Sequence, residues 1–463
     1  MTQGKPVSHI ISFALPLMAG NVFQQLYTVV DTMIVGKALG VDALAALGAS
    51  DWLNWMMLGI IQGLTQGFAI QMAQDFGAGH TERLRKTVGN SMVLAALSTI
   101  FLLSVGQLAA APMLNFLHTP TEIVGNALLY LRIMFAGVPI VMCYNMLASV
   151  LRALGDGKTP LRAMIVASLT NIGLDLLFVL GFHWGIAGAA AATLIAQMVS
   201  GAFCLWNIQR ISVLSCKKED FRLQAQIAGR LFVLGLPMAF QNSIISVGGM
   251  IVQTVVNGFG VIFIAGFTAT NKLYGILEIA ATSYGYAMTT YVGQNMGAGN
   301  YVRIRKGVRA ALLVAMVTSA VIALCMLFFG HDILGFFLSG SKEVVAQAMA
   351  VAYRYLAIMS ICLPVLYLLH IIRSALQGMG NTVLPMVSGI AEFVMRALAA
   401  LLLPGIIGQS GIFYAEVTAW AGADVILVCS YFLVLRHVVH KTIGTVQTVS
   451  LNDKIGTAGR GAD

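Results

Sequence analysis

The chain has 463 residues, 58% hydrophobic and only 10% charged, with a formal net charge of +9. Soluble domains carry about 25% charged residues, so this composition excludes a water-soluble fold and makes lipid the solvent for most of the chain. A spanning helix needs about 20 mostly apolar residues, and long apolar runs without strict alternation exclude a β-barrel.

The first apolar stretch, 9–39, is too long for a signal-peptide core and lacks a cleavage site, so it reads as a retained helix. Five more follow at 43–75, 84–113, 121–150, 159–182 and 186–211. A polar interruption at 212–225 precedes six further spans, at 226–257, 261–296, 303–330, 343–373, 382–404 and 411–437. The expectation is an all-α membrane protein of twelve transmembrane helices in two pseudo-twofold-related six-helix lobes. Residues 1–211 form the N-lobe, 212–225 a cytoplasmic linker, 226–440 the C-lobe and 441–463 a mobile cytoplasmic tail.

Positive charge orients the spans. With the N-terminus cytoplasmic, 21 of the 27 basic residues fall on the inner side, Arg83, Arg85, Lys86, Arg303, Arg305, Lys306 and Arg373 among them. Only Lys37 and Lys342 fall outside. This is the positive-inside pattern of a multi-pass inner or plasma membrane protein with both termini cytoplasmic. Basic residues spread over short loops do not suit nucleic acid. The six cysteines show no CxxC spacing, and the HxxH of His437 and His440 in a basic tail is weak evidence for metal.

The two halves repeat. Gln74-Asp-Phe-Gly77-Ala-Gly79 with Arg83, Arg85 and Lys86 recurs as Gln294-Asn-Met-Gly297-Ala-Gly299 with Arg303, Arg305 and Lys306, at an offset of 220. Pro16 and Asn21 recur as Pro237 and Asn242, and Tyr130, Pro139 and Pro160 as Tyr355, Pro364 and Pro385. Chance matching of apolar helices does not explain polar and Gly/Pro landmarks at a steady offset. Six spans per half make the repeats parallel, an arrangement in which solute passes between halves that rock about it.

Polar residues inside the spans mark that path. Gly20, Gln24, Tyr27 and Asp31 share one face of the first helix; Asn171 and Asp175 share a face of the fifth span, and Thr193 lies on the sixth. Two carboxylates held away from water can take up a proton near neutral pH, or neutralise Na⁺ with oxygens from Asn171 and Thr193. Asp31 and Asp175 map onto Val252 and Ala400 in the second half, which confines coupling to the N-lobe. Glu278, with Asn271 and Tyr274 on its face, is either a contact for a cationic substrate or a partner for a neighbouring helix. Asp51 and Lys272 are a candidate outer-gate pair, and Glu392 and Arg396, four apart, pair with each other. Arg132 and Arg354 reach the outer water or line the cavity. The 24 methionines are read mainly as packing, although thioethers also suit promiscuous pockets.

Several motifs together resemble the MATE (multidrug and toxic compound extrusion) family. They are Leu15-Pro16 leading to Gln24-Gln-Leu-Tyr27 and Val30-Asp31-Thr-Met-Ile-Val-Gly36, the Gly-Ala-Gly turn, and Leu151-Arg152-Ala-Leu-Gly155-Asp156-Gly-Lys-Thr159-Pro160. Asn171-Ile-Gly-Leu-Asp175 and Gly185-Ile-Ala-Gly188-Ala-Ala-Ala-Ala-Thr193 complete the set, which covers nearly the whole chain. The resemblance implies an N-lobe cation site at Asp31, Asn171, Asp175 and Thr193, holding H⁺ or Na⁺. It places Gln24, Tyr27 and Asn145 in the same cavity, and makes Pro16 a hinge. It lacks the C-lobe carboxylates of another branch. The expected function is cation-coupled antiport exporting amphipathic, often cationic drugs or metabolites by a monomer in contact with membrane lipids. Export of a lipid-linked or peptide-like precursor is the alternative, which a large basic groove would favour over an acidic, aromatic one. The chain is expected to need no cofactor beyond the coupling ion. An enzyme would need a metal cluster or a nucleophile with its base, and a channel would need a filter-like repeat; neither is visible.

Overall fold

The computed structural model describes residues 1–117, 119–338 and 341–435. The predicted tail and the His437/His440 pair lie outside them. Thirteen helices are α1 Pro6–Leu39, α2 Val41–Gly77, α3 Thr81–Phe116, α4 Thr121–Ala136, α5 Val138–Ala153, α6 Lys158–Asp175, α7 Gly185–Ile208, α8 Ala225–Asn257, α9 Val261–Gly297, α10 Tyr301–Gly335, α11 Lys342–Ile361, α12 Leu363–Gly378 and α13 Val383–Ile407. A fourteenth, α14, occupies 414–435. No strand occurs among the described residues.

Two pairs of helices are single spans broken in the middle. The span expected at 121–150 bends by 48° between α4 and α5, and that at 343–373 breaks at Cys362 between α11 and α12. Pro139 and Pro364, repeat equivalents, open α5 and α12. A proline has no N–H to donate, so it fits the first turn of a helix and interrupts the middle of one. Among the described residues, ten helices are long and apolar enough to cross a membrane alone, and the bent α4–α5 pair makes eleven. The twelfth span is α9, 37 residues long, whose apolar run is interrupted by Asn271, Lys272 and Glu278.

Each lobe lends the start of its first helix to the other. Ile10, Phe13, Ala14 and Leu17 of α1 pack in the C-lobe core with Tyr284, Tyr291 and Ile304, whereas Val35 of the same helix belongs to the N-lobe core. In mirror fashion Ala228, Leu231 and Ala239 of α8 pack in the N-lobe core, and Val252 and Val256 in the C-lobe core. Packing thus crosses between the two halves expected at 1–211 and 226–440 through the first helix of each. Pro16 lies where α1 passes from one lobe to the other. Four residues on, Gly20 is pressed against α6, where a Cβ would lie 2.9 Å from Met164 Sδ. The helix runs unbroken through Pro16.

At the basic end α2 and α9 cross without side chains between them. A Cβ on Gly77 would overlap the Gln294 carbonyl, and one on Gly297 would overlap that of Gln74. Both repeats then turn on a glycine of positive φ, +72° at Gly79 and +68° at Gly299, which L side chains rarely adopt. The glutamines finish the crossing reciprocally. Gln74 Nε2 donates to the Gly378 carbonyl at 3.0 Å, and Gln294 Nε2 to the Ala153 carbonyl at 2.8 Å. Gly77→Val is expected to force the two helices apart and cost about 1–3 kcal/mol as an overpacked contact. A melting temperature equal to that of the wild type in a thermal unfolding assay would contradict this.

The inter-lobe segment is docked rather than free. It forms short 3-10 turns at Ser212–Leu214 and Lys218–Phe221. Asp220 is buried and accepts from the Lys217 N–H at 2.7 Å. Asn90 of α3 holds the segment on both sides, donating to the Arg222 carbonyl at 3.2 Å and accepting from the Gln224 N–H at 2.8 Å. Through these bonds the linker travels with the N-lobe, leaving α8 as the element that enters the second one.

Candidate functional site

In the N-lobe, α1 and α6 bring the expected acids together. The Asp31 and Asp175 carboxyls lie within hydrogen-bonding reach of each other and can share a proton. Asp175 is fully buried and Asn171, one turn earlier, is 1% exposed. Asn171 Nδ2 donates to Thr193 Oγ1 of α7 at 3.4 Å. Asp31 Oδ1, Asn171 Oδ1 and both carboxyl oxygens of Asp175 are buried without a hydrogen-bond donor. Four bare acceptors, three of them carboxylate oxygens, are costly in a low-dielectric interior and suit a proton or a hard monovalent cation. Asp175 also ends the α-helical part of its span, which continues as a π-helical turn over Leu176–Gly181. Such turns are rare and recur at functional sites.

The neighbours of this cluster are partly those expected. Tyr27 lies beside Gln24 and close to Asp31. Tyr130 of α4, noticed in the sequence only as a repeat landmark, brings a buried phenol near Asp31, Tyr27 and Asp175. Its signal was its place in the repeat, not its chemistry. Asn145 is buried but donates to the Val141 carbonyl of its own helix at 2.8 Å, a bond that spends its amide on the backbone. Asp51 is exposed, and Lys272 lines a groove of its own lobe with Phe337, Val344 and Ala348. The proposed Asp51–Lys272 pair is therefore not brought together: the two side chains face different surroundings.

Glu278 does not join Gln24, Tyr27 and Asn145 in one cavity. It lines a separate cavity of about 450 Å³ between α2, α8, α9, α12, α13 and α14. Trp52 and Trp55 of α2, Tyr274 and Tyr286 of α9 and Trp420 of α14 provide aromatic walls. Gly249 makes room for the Trp52 ring, since a Cβ there would lie 2.8 Å from it. Gln62, Gln66, Gln241 and Asn242 supply uncharged polar groups.

One wall of this cavity is a chain of ions. Arg373 Nη2 donates to Glu392 Oε2 at 2.7 Å, Arg396 Nη2 to Glu392 Oε1 at 2.9 Å, and Arg396 Nη2 to Glu416 Oε2 at 2.7 Å. The Glu392–Arg396 pair is the one that the spacing of four predicts. Arg373, read as an inner-side charge, is instead a buried residue of α12, because Glu392 and the helix packing hold it within the lobe. Asp424 is buried beside this chain with neither oxygen hydrogen-bonded. The C-lobe lacks counterparts of Asp31 and Asp175, but it is rich in buried charge.

Two repeated six-span lobes, a buried acid cluster in one and a polar cavity between them define the architecture of a membrane transporter rather than an enzyme. The MatE family model matches residues 16–177 and 237–402, one segment in each half. The chain belongs to the MatE family of multidrug transporters. It is similar to the "Probable multidrug resistance protein YpnP" of Bacillus subtilis, 28% identical over 412 residues, covering 89% of this chain and 91% of that protein. The "Probable multidrug resistance protein NorM" of Thermotoga maritima is 24% identical over 392 residues, covering 82% of this chain and 81% of that protein. The crystal structure of MATE in complex with MaL6 superposes with a TM-score of 0.88 at 21% identity, covering 94% of this chain and 98% of that one.

Proposed function

We propose that this protein is a cation-coupled antiporter of the cell membrane, exporting amphipathic, often cationic compounds with its basic end in the cytoplasm. The observation that carries coupling is the set of buried acceptors on Asp31, Asn171 and Asp175 that no donor satisfies. A proton or Na⁺ bound there removes the cost of burying the charge, and releasing it restores that cost. The ion can therefore bias which way the lobes open only through a differential affinity for the two states. Pro16, where α1 changes lobes, is the hinge by which α1 follows the ion. The export reading is supported by the relatives' description as multidrug resistance proteins and by the aromatic cavity. A wall of three carboxylates against two guanidiniums is not the basic groove that a lipid-linked or peptide-like anionic precursor would require.

The deciding experiment reconstitutes the full chain in vesicles and follows a fluorescent cationic dye that the protein is first shown to carry. A Na⁺ gradient and a pH gradient are imposed separately. Transport driven by one and not by the other names the coupling ion; transport indifferent to both would end the antiport reading.

A further inference from the structure

Glu278 and His370 belong to the cavity wall but play no part in the N-lobe site. We propose that Glu278 anchors an organic monocation in this cavity, and that His370 is its built-in competitor. A proton on His370 supplies the same carboxylate with the positive charge that the solute would bring. The inference rests on the export reading above and names its substrate site.

The charges of the wall carry it. Glu392 and Glu416 are committed to Arg373 and Arg396 through contacts of 2.7–2.9 Å. Glu278 remains. Among the described residues its ionic neighbour is His370, with Nε2 3.5 Å from Oε1, and the two side chains are 18% and 34% exposed respectively. With a neutral imidazole the wall holds one negative charge in excess; with an imidazolium it holds none. A carboxylate inside a membrane is costly without a partner, so one positive charge is called for, from either source. Trp52, Trp55, Tyr274 and Trp420 around it favour a weakly hydrated organic cation over a strongly hydrated inorganic one, since ring faces attract cations that shed water easily. The volume of about 450 Å³ suits a drug-sized solute.

Other groups around His370 are accounted for. Along α12, Arg373 is paired with Glu392; α13 adds Arg396 and α14 adds Glu416, which pair with each other. Asp424 of α14 lies near Arg373 and Glu392, outside the cavity wall. From α9 come Glu278 itself and the phenols of Tyr274 and Tyr286, while α2 and α8 present the uncharged Gln66 and Gln241. On the opposite face of α12, Arg305 and Arg309 of α10 lie beside Leu368 and Ile372. Gly285, in the cavity wall, makes room for Ser374: a Cβ there would lie 2.9 Å from Ser374 Oγ, with His370 Nδ1 at an ordinary 3.9 Å.

The test is equilibrium binding of tetraphenylphosphonium, whose charge does not titrate, to the detergent-solubilised full chain at about pH 5.5 and about pH 8. Wild type is expected to bind about tenfold more weakly at the lower pH, as exchange of one imidazole proton predicts. His370→Gln should bind with one affinity at both pH values. Glu278→Gln should lose at least about tenfold at the higher pH, the worth of a single desolvated charge contact. An Asp31→Asn, Asp175→Asn background should keep the pH dependence. Wild-type pH dependence in His370→Gln, wild-type affinity in Glu278→Gln, or loss of the pH dependence in the N-lobe background would each overturn the proposal. So would failure of the wild type to bind the probe at either pH. That last result leaves the coupling reading intact, because the imposed gradients measure it separately. Should Glu278→Gln fail to fold, His370→Gln carries the test alone.

Discussion

Asp31→Asn and Asp175→Asn are each expected to abolish ion-driven efflux while leaving the protein folded, with a melting temperature equal to or above that of the wild type. An amide has the size of the carboxyl it replaces but neither exchanges a proton nor carries charge. If the ion is H⁺, the exchanging group is gone. If it is Na⁺, losing one charged ligand costs about 3 kcal/mol, or about a hundredfold in ion affinity. The stability half of the prediction follows from the same geometry. Asp31 Oδ1 and both oxygens of Asp175 have no donor, and Asn171 Oδ1 beside them has none either. An amide N–H₂ placed among bare acceptors satisfies one of them, so the ion site is maintained at the expense of stability. Gradient-driven efflux from vesicles and thermal unfolding, measured on the same preparations, check both halves. Undiminished efflux in both variants would remove the coupling role. Lost efflux with a large fall in melting temperature would make the acids structural.

Why these two acids were legible while the charged chain of the C-lobe was not has a physical explanation. Asp31 and Asp175 stand in otherwise apolar runs, four residues or a multiple of a turn from other polar groups, so helical periodicity alone puts them on a seam. The repeat then shows which half carries them. Arg373 sits at the end of an apolar run, shortly before the turn at Gly378-Met-Gly380, where it counts as one more inner charge. Only packing of α12 against α13 gives it Glu392, 19 residues away, and makes it a buried group. Glu416 lies in the last span and takes its partner, Arg396, from another helix, while the buried Asp424 of the same span has no hydrogen-bond donor. Ion pairs between helices leave no periodicity. The breaks at Gly137 and Cys362 were foreshadowed by Pro139 and Pro364 at equal places in the repeat, but membrane helices tolerate proline well enough that neither dictated a break. The docking of the linker left no signal in the sequence for a related reason. Its polar composition is that of a free segment, and its anchor, Asn90, lies on a distant helix.

Glu392→Met is expected to be the most destabilising single change in the C-lobe, by about 3–5 kcal/mol, because it takes from two buried guanidiniums the carboxylate that both are hydrogen-bonded to. Glu392 is 4% exposed and bonds Arg373 with one oxygen and Arg396 with the other. Without it, Arg396 keeps Glu416 at 2.7 Å, while Arg373 keeps only a long contact of 3.4 Å to Ser388 Oγ. The cost should therefore fall mainly on Arg373. Removing that residue too, in Arg373→Met, Glu392→Met, leaves the balanced Arg396–Glu416 pair and should recover more than half of the loss. A buried ion pair replaced as a unit by apolar side chains of similar size is often near neutral, whereas its halves are not. Thermal or denaturant unfolding of the two single variants and the double variant closes the cycle. Costs that simply add would mean that Arg373 and Glu392 act independently, and a single variant as stable as wild type would mean that water, not Glu392, holds Arg373. Strong coupling would instead make the chain a rigid wall, in which Glu278, bound to neither guanidinium, is the carboxylate left to answer to a passing cation.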